Sequence, residues 1–203
     1  VLGDKVHKLV SCHLGSGASL CAIEDGRCMD TTMGLTPLDG LVMGTRCGTV
    51  DPATVFYLNR VGGYSIDDID TMMNKQSGML AVSAVSSDSR DIEEGAHSGD
   101  ANCQMALEMF YYRPSQLFAE MAASMEGVDT MVFTAGIGEN SDEMRAGVAE
   151  RLAWMGLEID AEKNAIRSDE PRVISTPESS ITALVIPTNE EYMIALDVAE
   201  LLG

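Results

Sequence analysis

The sequence predicts an α/β domain built on a mixed sheet, and three observations predict it. Short apolar runs give way to helical periodicities in the order three strands, helices, strand, helix, strand, helix. Two of the early runs are joined by Asp25-Gly26, a pair that suits the type I′ turn of an antiparallel hairpin. Met131-Val132-Phe133 runs instead into glycines and then a helix, the strand-to-helix order of a parallel sheet. Five strands are expected in all.

Residues 8–12 read as the first strand, entering His13-Leu14-Gly15-Ser16-Gly17. Residues 18–24 and 27–33 are the next two, across the Asp25-Gly26 turn. A loop rich in glycine and threonine covers residues 34–50. Asp51-Pro52 then opens a helix, with Asp as cap and Pro in the first turn, ending near Gly62-Gly63. Residues 65–75 form another helix, stopped at Gly78. Residues 86–99 read as polar and irregular. Residues 101–125 are helical in composition, with Pro114 expected to kink or split them.

After the fourth strand, Asn140 is a candidate cap, with Glu143 completing a capping box. Met144, Val148, Leu152 and Met155 follow on one helical face, and Gly156 ends it. Residues 161–166 are a short helix candidate and residues 181–186 the fifth strand. Thr188 opens the last helix through a second box to Glu191, with Ile194, Ala195, Val198, Leu201 and Leu202 sharing a face. No repeat or low-complexity tract interrupts this order.

At 203 residues the chain suffices for one domain, or for one domain with a small insert. Its 45% hydrophobic and 22% charged content is that of a soluble globular protein. A formal charge of -19 argues against nucleic acid or an anionic membrane as partner. It leaves room for a nucleotide, because peptide dipoles, an arginine or two and Mg²⁺ hold a triphosphate inside an acidic protein. Five cysteines with no C-x-x-C pair fit a reducing cytoplasm better than a disulfide framework or zinc site. No apolar run has the length of a membrane span, and the first five residues do not read as a signal peptide. The chain opens on Val1, so it is either trimmed or begins inside a longer protein.

Two glycine turns stand out. Gly136-Ile137-Gly138 lies between a strand and a helix start, where a Cβ would hold a phosphate or nucleotide off the backbone. A tight structural turn accounts for the pair equally well, since Ser141 stands where a dinucleotide fingerprint has its third glycine. Gly15-Ser16-Gly17 reads as an ordinary hairpin loop or as a turn wrapping phosphates with main-chain amides. Arg46, between Gly44 and Gly48, is a surface arginine or a guanidinium brought to a transferring phosphoryl group. Asp88-Ser89-Arg90 is a solvated loop or a nucleoside contact. Glu190 is helix-start chemistry or a Mg²⁺-directed carboxylate. The 14 methionines are explained as core filler.

Taken together these segments resemble the acetate kinase family. The resemblance rests on His13-Leu-Gly-Ser-Gly-Ala-Ser19, Asp30-Thr-Thr-Met-Gly-Leu-Thr-Pro-Leu-Asp-Gly40 and Met43-Gly-Thr-Arg46-Cys-Gly-Thr-Val-Asp51-Pro52. Val85-Ser-Ser-Asp88-Ser-Arg90-Asp91, Phe133-Thr-Ala-Gly-Ile-Gly-Glu-Asn-Ser141 and Ile186-Pro-Thr-Asn-Glu190-Glu191 complete the set, in the family's order and across nearly the whole chain. It implies a ribonuclease-H-like domain of the actin and Hsp70 type, with a mixed five-stranded sheet flanked by helices. More narrowly, it implies that residues 1–203 are the single C-terminal, nucleotide-binding domain of a two-domain kinase, with a helical insert around 51–99.

By resemblance His13, Leu14, Gly15, Ser16 and Gly17 touch the phosphates of ATP or ADP. Asp88, Ser89 and Arg90, with Gly136, Ile137, Gly138, Glu139 and Asn140, serve the nucleoside, Glu190 the Mg²⁺, and Arg46 the transition state. The implied reaction is reversible in-line transfer of the γ-phosphoryl from ATP to acetate, in the cytoplasm. Propionate or butyrate kinase, and a nucleotide-binding or oligomerisation module without turnover, are the alternatives. The implied partners are the N-terminal half of the same enzyme and a second copy of the chain. Two departures qualify the match. Ser16 stands where the family commonly has Asn, which bears on nucleotide preference. The family's acidic catalytic residue, a carboxylate-binding arginine, a second histidine and a metal-side Asn have no counterpart in this chain, and His7 and His97 lie outside the motifs.

Overall fold

The computed structural model describes residues 6–202; residues 1–5, read above as no signal peptide, and Gly203 lie outside the described residues. Three strands come first: β1 (Lys8–Leu14), β2 (Ala18–Glu24) and β3 (Arg27–Thr31). Four helices follow, α1 (Ala53–Arg60), α2 (Ile66–Lys75), α3 (Gly78–Ser83) and α4 (Ser89–His97), then the long α5 (Ala101–Ser124). The remainder alternates: β4 (Thr130–Thr134), α6 (Ala135–Asn140), α7 (Asp142–Leu152), α8 (Ala161–Ala165), β5 (Arg172–Val173), β6 (Thr182–Val185) and α9 (Glu190–Leu202). No described helix is long and apolar enough to cross a membrane.

Among the described residues the sheet has six strands, in the order β3-β2-β1-β4-β6-β5, one more than expected. The extra strand is β5, two residues at the edge, too short to leave a periodic signature. β1, β4 and β6 run parallel, and the remaining pairs are antiparallel. Asp25 and Gly26 both take positive φ, 48° and 78°, as the type I′ turn requires. β1 alternates, burying Val10, Cys12 and Leu14, whereas β4 buries four successive residues because both of its faces are covered. α5 packs on β1 and β2 through a core that includes Phe110, Phe118 and Met121. Full burial of a side chain the size of Phe118 stabilises by about 3 kcal/mol.

Local expectations are corrected at several points. Residues 86–99 are not irregular: Asp88 caps α4 by accepting from the Arg90 amide, and only Ile92 and Ala96 turn inward, too few for a periodic signal. Pro114 sits buried inside α5 and does not split it in two. Helix α7 is capped by Ser141, whose Oγ accepts from Met144 N at 3.1 Å, and not by Asn140. The residues between β4 and α7 form a short helix of their own, α6. At the last helix Asn189 Oδ1, not Thr188, accepts the Tyr192 amide. None of α9 is buried, so its shared apolar face stands open.

Candidate functional site

The three parallel strands end together, and the loops that follow them meet at that edge of the sheet. In open α/β sheets this is where ligands bind, because the strand ends leave a crevice ringed by backbone amides. β1 delivers Gly15 to Gly17, β4 delivers α6, and β6 delivers Thr188 to Glu190. The β1–β2 turn closes tightly, with Gly15 N donating to Gly17 O at 3.1 Å.

Two cavities open there. One of about 670 Å³ is lined by Gly15, Ser16, Ser87, Asp88, Ser89, Arg90, Glu93, Gly136, Ile137, Asn140, Ser141 and Arg167. Its volume is that of a pocket for a drug-sized ligand. The other, about 410 Å³, is lined by His13, Ala135, Gly136, Thr188, Asn189, Glu190 and Glu191. Gly136 borders both. A third cavity of about 550 Å³, between α7 and the segment after it, holds none of the predicted residues.

Arg46 reaches this edge by way of its loop. Gly44 N donates to Ser16 O at 3.2 Å, and Ser77, Met79 and Leu80 amides donate to Thr45, Met43 and Gly44 carbonyls. The guanidinium donates to Pro37 O at 3.0 Å and lies over the β1–β2 turn, where a Cβ added at Gly17 would sit 3.3 Å from Nη1. His13 Nε2 and Glu190 Oε1 are 3.7 Å apart in the smaller cavity. Asp88 and Arg90 face each other as a fork: Nε to Oδ1 at 3.0 Å and Nη2 to Oδ2 at 2.5 Å. That side-chain pair, helped by the Arg90 amide, holds the Asp88 carboxyl down at about 2.

Of the residues named from the sequence, Gly15, Ser16, Asp88, Ser89, Arg90, Gly136, Ile137 and Asn140 line one cavity. His13 and Glu190 line the next, and Gly17 and Arg46 stand beside them. Three point elsewhere. The Leu14 side chain is fully buried in the core. A Cβ at Gly138 would meet Phe133, Cys12 and Leu14 at 3.5–3.7 Å, so that side of the residue faces the strands. The Glu139 carboxylate accepts from Thr188 N at 2.8 Å and from its hydroxyl at 2.9 Å, which ties α6 to the start of α9.

Sequence reading missed three residues. Glu93 follows Arg90 by one helical turn, a spacing legible only once α4 is known, and its Oε1 accepts from Ser141 Oγ at 2.6 Å. Arg167 reaches the larger cavity from a loop with no motif. Arg145 is 2% exposed and, among the described residues, has no carboxylate within ion-pair distance. Its guanidinium donates to the Gly138 and Glu139 carbonyls at 2.9 and 3.0 Å and to Asn164 twice at 2.7 Å. Burial, then Arg172, pull its pKa down to about 10, so it stays charged at neutral pH.

The Acetokinase family model matches residues 2–196. The chain belongs to the acetate kinase family. An acetate kinase of Clostridioides difficile (strain 630) is 47% identical over 203 residues, which are 99% of this chain and 51% of that protein. The crystal structure of Porphyromonas gingivalis acetate kinase superposes with a TM-score of 0.91 at 42% identity, covering 98% of this chain and 50% of that one. A propionate kinase from Francisella tularensis subsp. tularensis SCHU S4 superposes with a TM-score of 0.89 at 40% identity, over 96% of this chain and 49% of that one. The ribonuclease-H-like fold of the actin and Hsp70 type therefore stands, with six strands. The chain spans about half the length of the curated acetate kinases it matches.

Proposed function

We propose that residues 1–203 are the C-terminal nucleotide-binding domain of an acetate kinase, with α1 to α4 as its helical insert, and that the whole enzyme transfers the ATP γ-phosphoryl to acetate. The observation that carries this reading is the Arg46 guanidinium beside the Gly15–Gly17 turn, with the cavity of Asp88, Arg90 and Gly136 on one side and His13 and Glu190 on the other. A pure binding module has no need of a guanidinium at that end of the nucleotide.

The β1–β2 turn receives the phosphates through its amides, with the Ser16 hydroxyl as a shorter donor than the Asn common in the family. The larger cavity takes the nucleoside, its Asp88–Arg90 fork offering a carboxylate edge to ribose hydroxyls and a guanidinium plane to a base. Glu190 is open enough to help hold Mg²⁺. One carboxylate fits, because Mg²⁺ keeps several waters and takes its other ligands from phosphates, and among the described residues no three-residue metal cluster exists. Bound there, Mg²⁺ supplies charge neutralisation to the phosphoryl oxygens. Arg46 stabilises the charge that spreads over the equatorial oxygens during transfer, so the chain's part is positioning and electrostatics.

The residues that engage the carboxylate acceptor belong to the other half of the enzyme, so this chain by itself forms no acetyl phosphate. The exposed apolar residues of α9, and Phe56 and Tyr57 of α1, support that half and a second copy as partners in a cytoplasmic enzyme. The deciding experiment is Arg46→Ala in the full-length protein. It lowers kcat by about 10³ or more, and a change under about tenfold removes Arg46 from catalysis. The likeness to a propionate kinase keeps a longer acid as the second reading. Higher kcat/KM on propionate or butyrate than on acetate decides for it.

A further inference from the structure

The edge hairpin carries two thiols that the nucleotide site does not use. β3 lies at the outer edge of the sheet, and its pairing with β2 slips between Ala22 and Ile23. Cys21 is opposite Thr31 and Cys28 is opposite Ile23, which puts the two cysteines diagonally on one face. A bulge increases the local twist, and diagonal neighbours then approach more closely than in a flat ladder. The result is a Cys21 Sγ to Cys28 Sγ separation of 3.3 Å. Cys28 is exposed and Cys21 half-buried. Cys12 and Cys103 are buried, and Cys47 is half-buried in the Arg46 loop.

We propose that Cys21 and Cys28 form a reactive dithiol, a covalent modification site that two-electron oxidants of the peroxide class close into a disulfide. A disulfide needs its sulfurs at about 2.05 Å, so each side chain moves by well under an ångström along the line joining them. Exposure makes Cys28 the first to meet oxidant. Cys21 is the resolving partner: burial, and then the Cys28 thiol beside it, push its own thiol up to about 11. The Cys28 thiolate attacks the peroxide, an S–O bond forms, the O–O bond breaks, and the departing hydroxide leaves as water after taking a proton. Cys21 sulfur then attacks Cys28 sulfur. The S–S bond forms, the S–O bond breaks, and the Cys21 proton leaves with the hydroxyl as a second water. Two thiols and one peroxide give one disulfide and two waters.

Closure pins the outer strand where it already holds to β2 through Thr32. Leu20 N donates to Thr32 Oγ1 and Thr32 N to Leu20 O, both at 3.0 Å. The test treats the native full-length protein with a small excess of hydrogen peroxide, blocks remaining thiols, and maps tryptic peptides. Cleavage at Arg27 separates the two cysteines, so the expected product is one cross-linked pair of peptides, with Cys12 and Cys103 still reduced. Phenylarsine oxide, which needs two sulfurs for stable capture, binds the reduced protein and is lost in Cys28→Ser but not in Cys47→Ser. In Cys21→Ser, Cys28 halts at the sulfenic acid and is trapped by dimedone. Cross-links between molecules in place of the internal one overturn the proposal, as does arsenical capture that survives Cys28→Ser.

Discussion

Arg145→Ala tests how the glycine turn after β4 is held. In the native protein the guanidinium makes four hydrogen bonds to neutral acceptors: the Gly138 and Glu139 carbonyls, the Asn164 carbonyl and the Asn164 side chain. Truncation leaves those oxygens facing a void. A buried acceptor without a partner costs about 1–3 kcal/mol, and four of them would cost far more than a single substitution ordinarily does. Two effects reduce the sum. Water enters a polar void of this size and meets some of the acceptors. The desolvation that lowers the Arg145 pKa to about 10 is itself an unfavourable term of the folded state, and it is relieved. The expected net loss is about 3–5 kcal/mol, at the upper end for point substitutions and a large part of the stability of an ordinary domain. Urea unfolding followed by circular dichroism measures it as a lower midpoint at unchanged slope. Hydrogen exchange locates it, with amides of residues 136–141 losing protection first. A loss under about 1 kcal/mol would mean that the four bonds contribute nothing beyond what water supplies, and the bracing argument fails.

Three further outcomes are expected. Gly136→Val lowers ADP affinity by more than about tenfold, or roughly 1.4 kcal/mol, because a Cβ there meets nothing within 4 Å and stands in the space both cavities share. Gly138→Ala, whose Cβ faces the strands at ordinary contact distance, leaves affinity unchanged, and calorimetry of both variants checks the contrast. Asp88 titrates near 2 in the folded protein, below the roughly 3.9 of an unfolded Asp, so its stabilisation is fully present above about pH 4 and is lost as pH falls through about 2. A carbon-detected NMR titration giving an ordinary midpoint removes the Arg90 fork as its cause. Glu139→Ala weakens Mg²⁺-dependent ADP binding, Thr188→Ala weakens it less because the Thr188 amide still donates to Glu139, and the double variant is no weaker than Glu139→Ala, since both act on one strut to the Glu190 segment. An additive double variant shows that Glu139 acts by touching the nucleotide.

Much of this was legible because local chemistry and global fold agree. Asp25-Gly26 specified its turn, and the glycine and Asp-Pro punctuation marked most boundaries without any long-range information. The failures have a common physical form. Cap choice at Asn140 against Ser141, and at Thr188 against Asn189, is decided by which side chain is already engaged elsewhere. Asn140 donates to Gly136 O and Thr188 to Glu139. The order of the strand-end loops was readable, but the direction of a glycine's missing Cβ was not. That direction separates Gly136 from Gly138 and depends on how α6 sits against β1. Arg145 was invisible because an arginine on an amphipathic helix normally reads as a solvent-facing charge, and only the carbonyls of a neighbouring turn make it internal.

The same turn carries the one backbone conformation at the site that sequence reasoning gives no cause to expect. Ala135 joins β4 to α6 with φ 65°, a left-handed position that a residue with a Cβ occupies at a cost of about 1–3 kcal/mol. Such a conformation persists only where its surroundings over-determine it. Here they do so on three sides: Arg145 grips the carbonyls at the end of α6, Asn140 Nδ2 closes back on Gly136 O at 2.9 Å, and Glu139 anchors the turn to Thr188. Without the left-handed step the chain would leave β4 in another direction, and Gly136 would not border both cavities. Strain at Ala135 and the buried charge at Arg145 are therefore two parts of one arrangement. Each is unfavourable alone, and together they fix a side-chain-free stretch of backbone where the nucleoside and phosphate ends of the proposed site meet. Relieving the strain by Ala135→Gly, which tolerates this φ, would stabilise the folded turn while loosening it, so stability and nucleotide affinity at this residue should move in opposite directions.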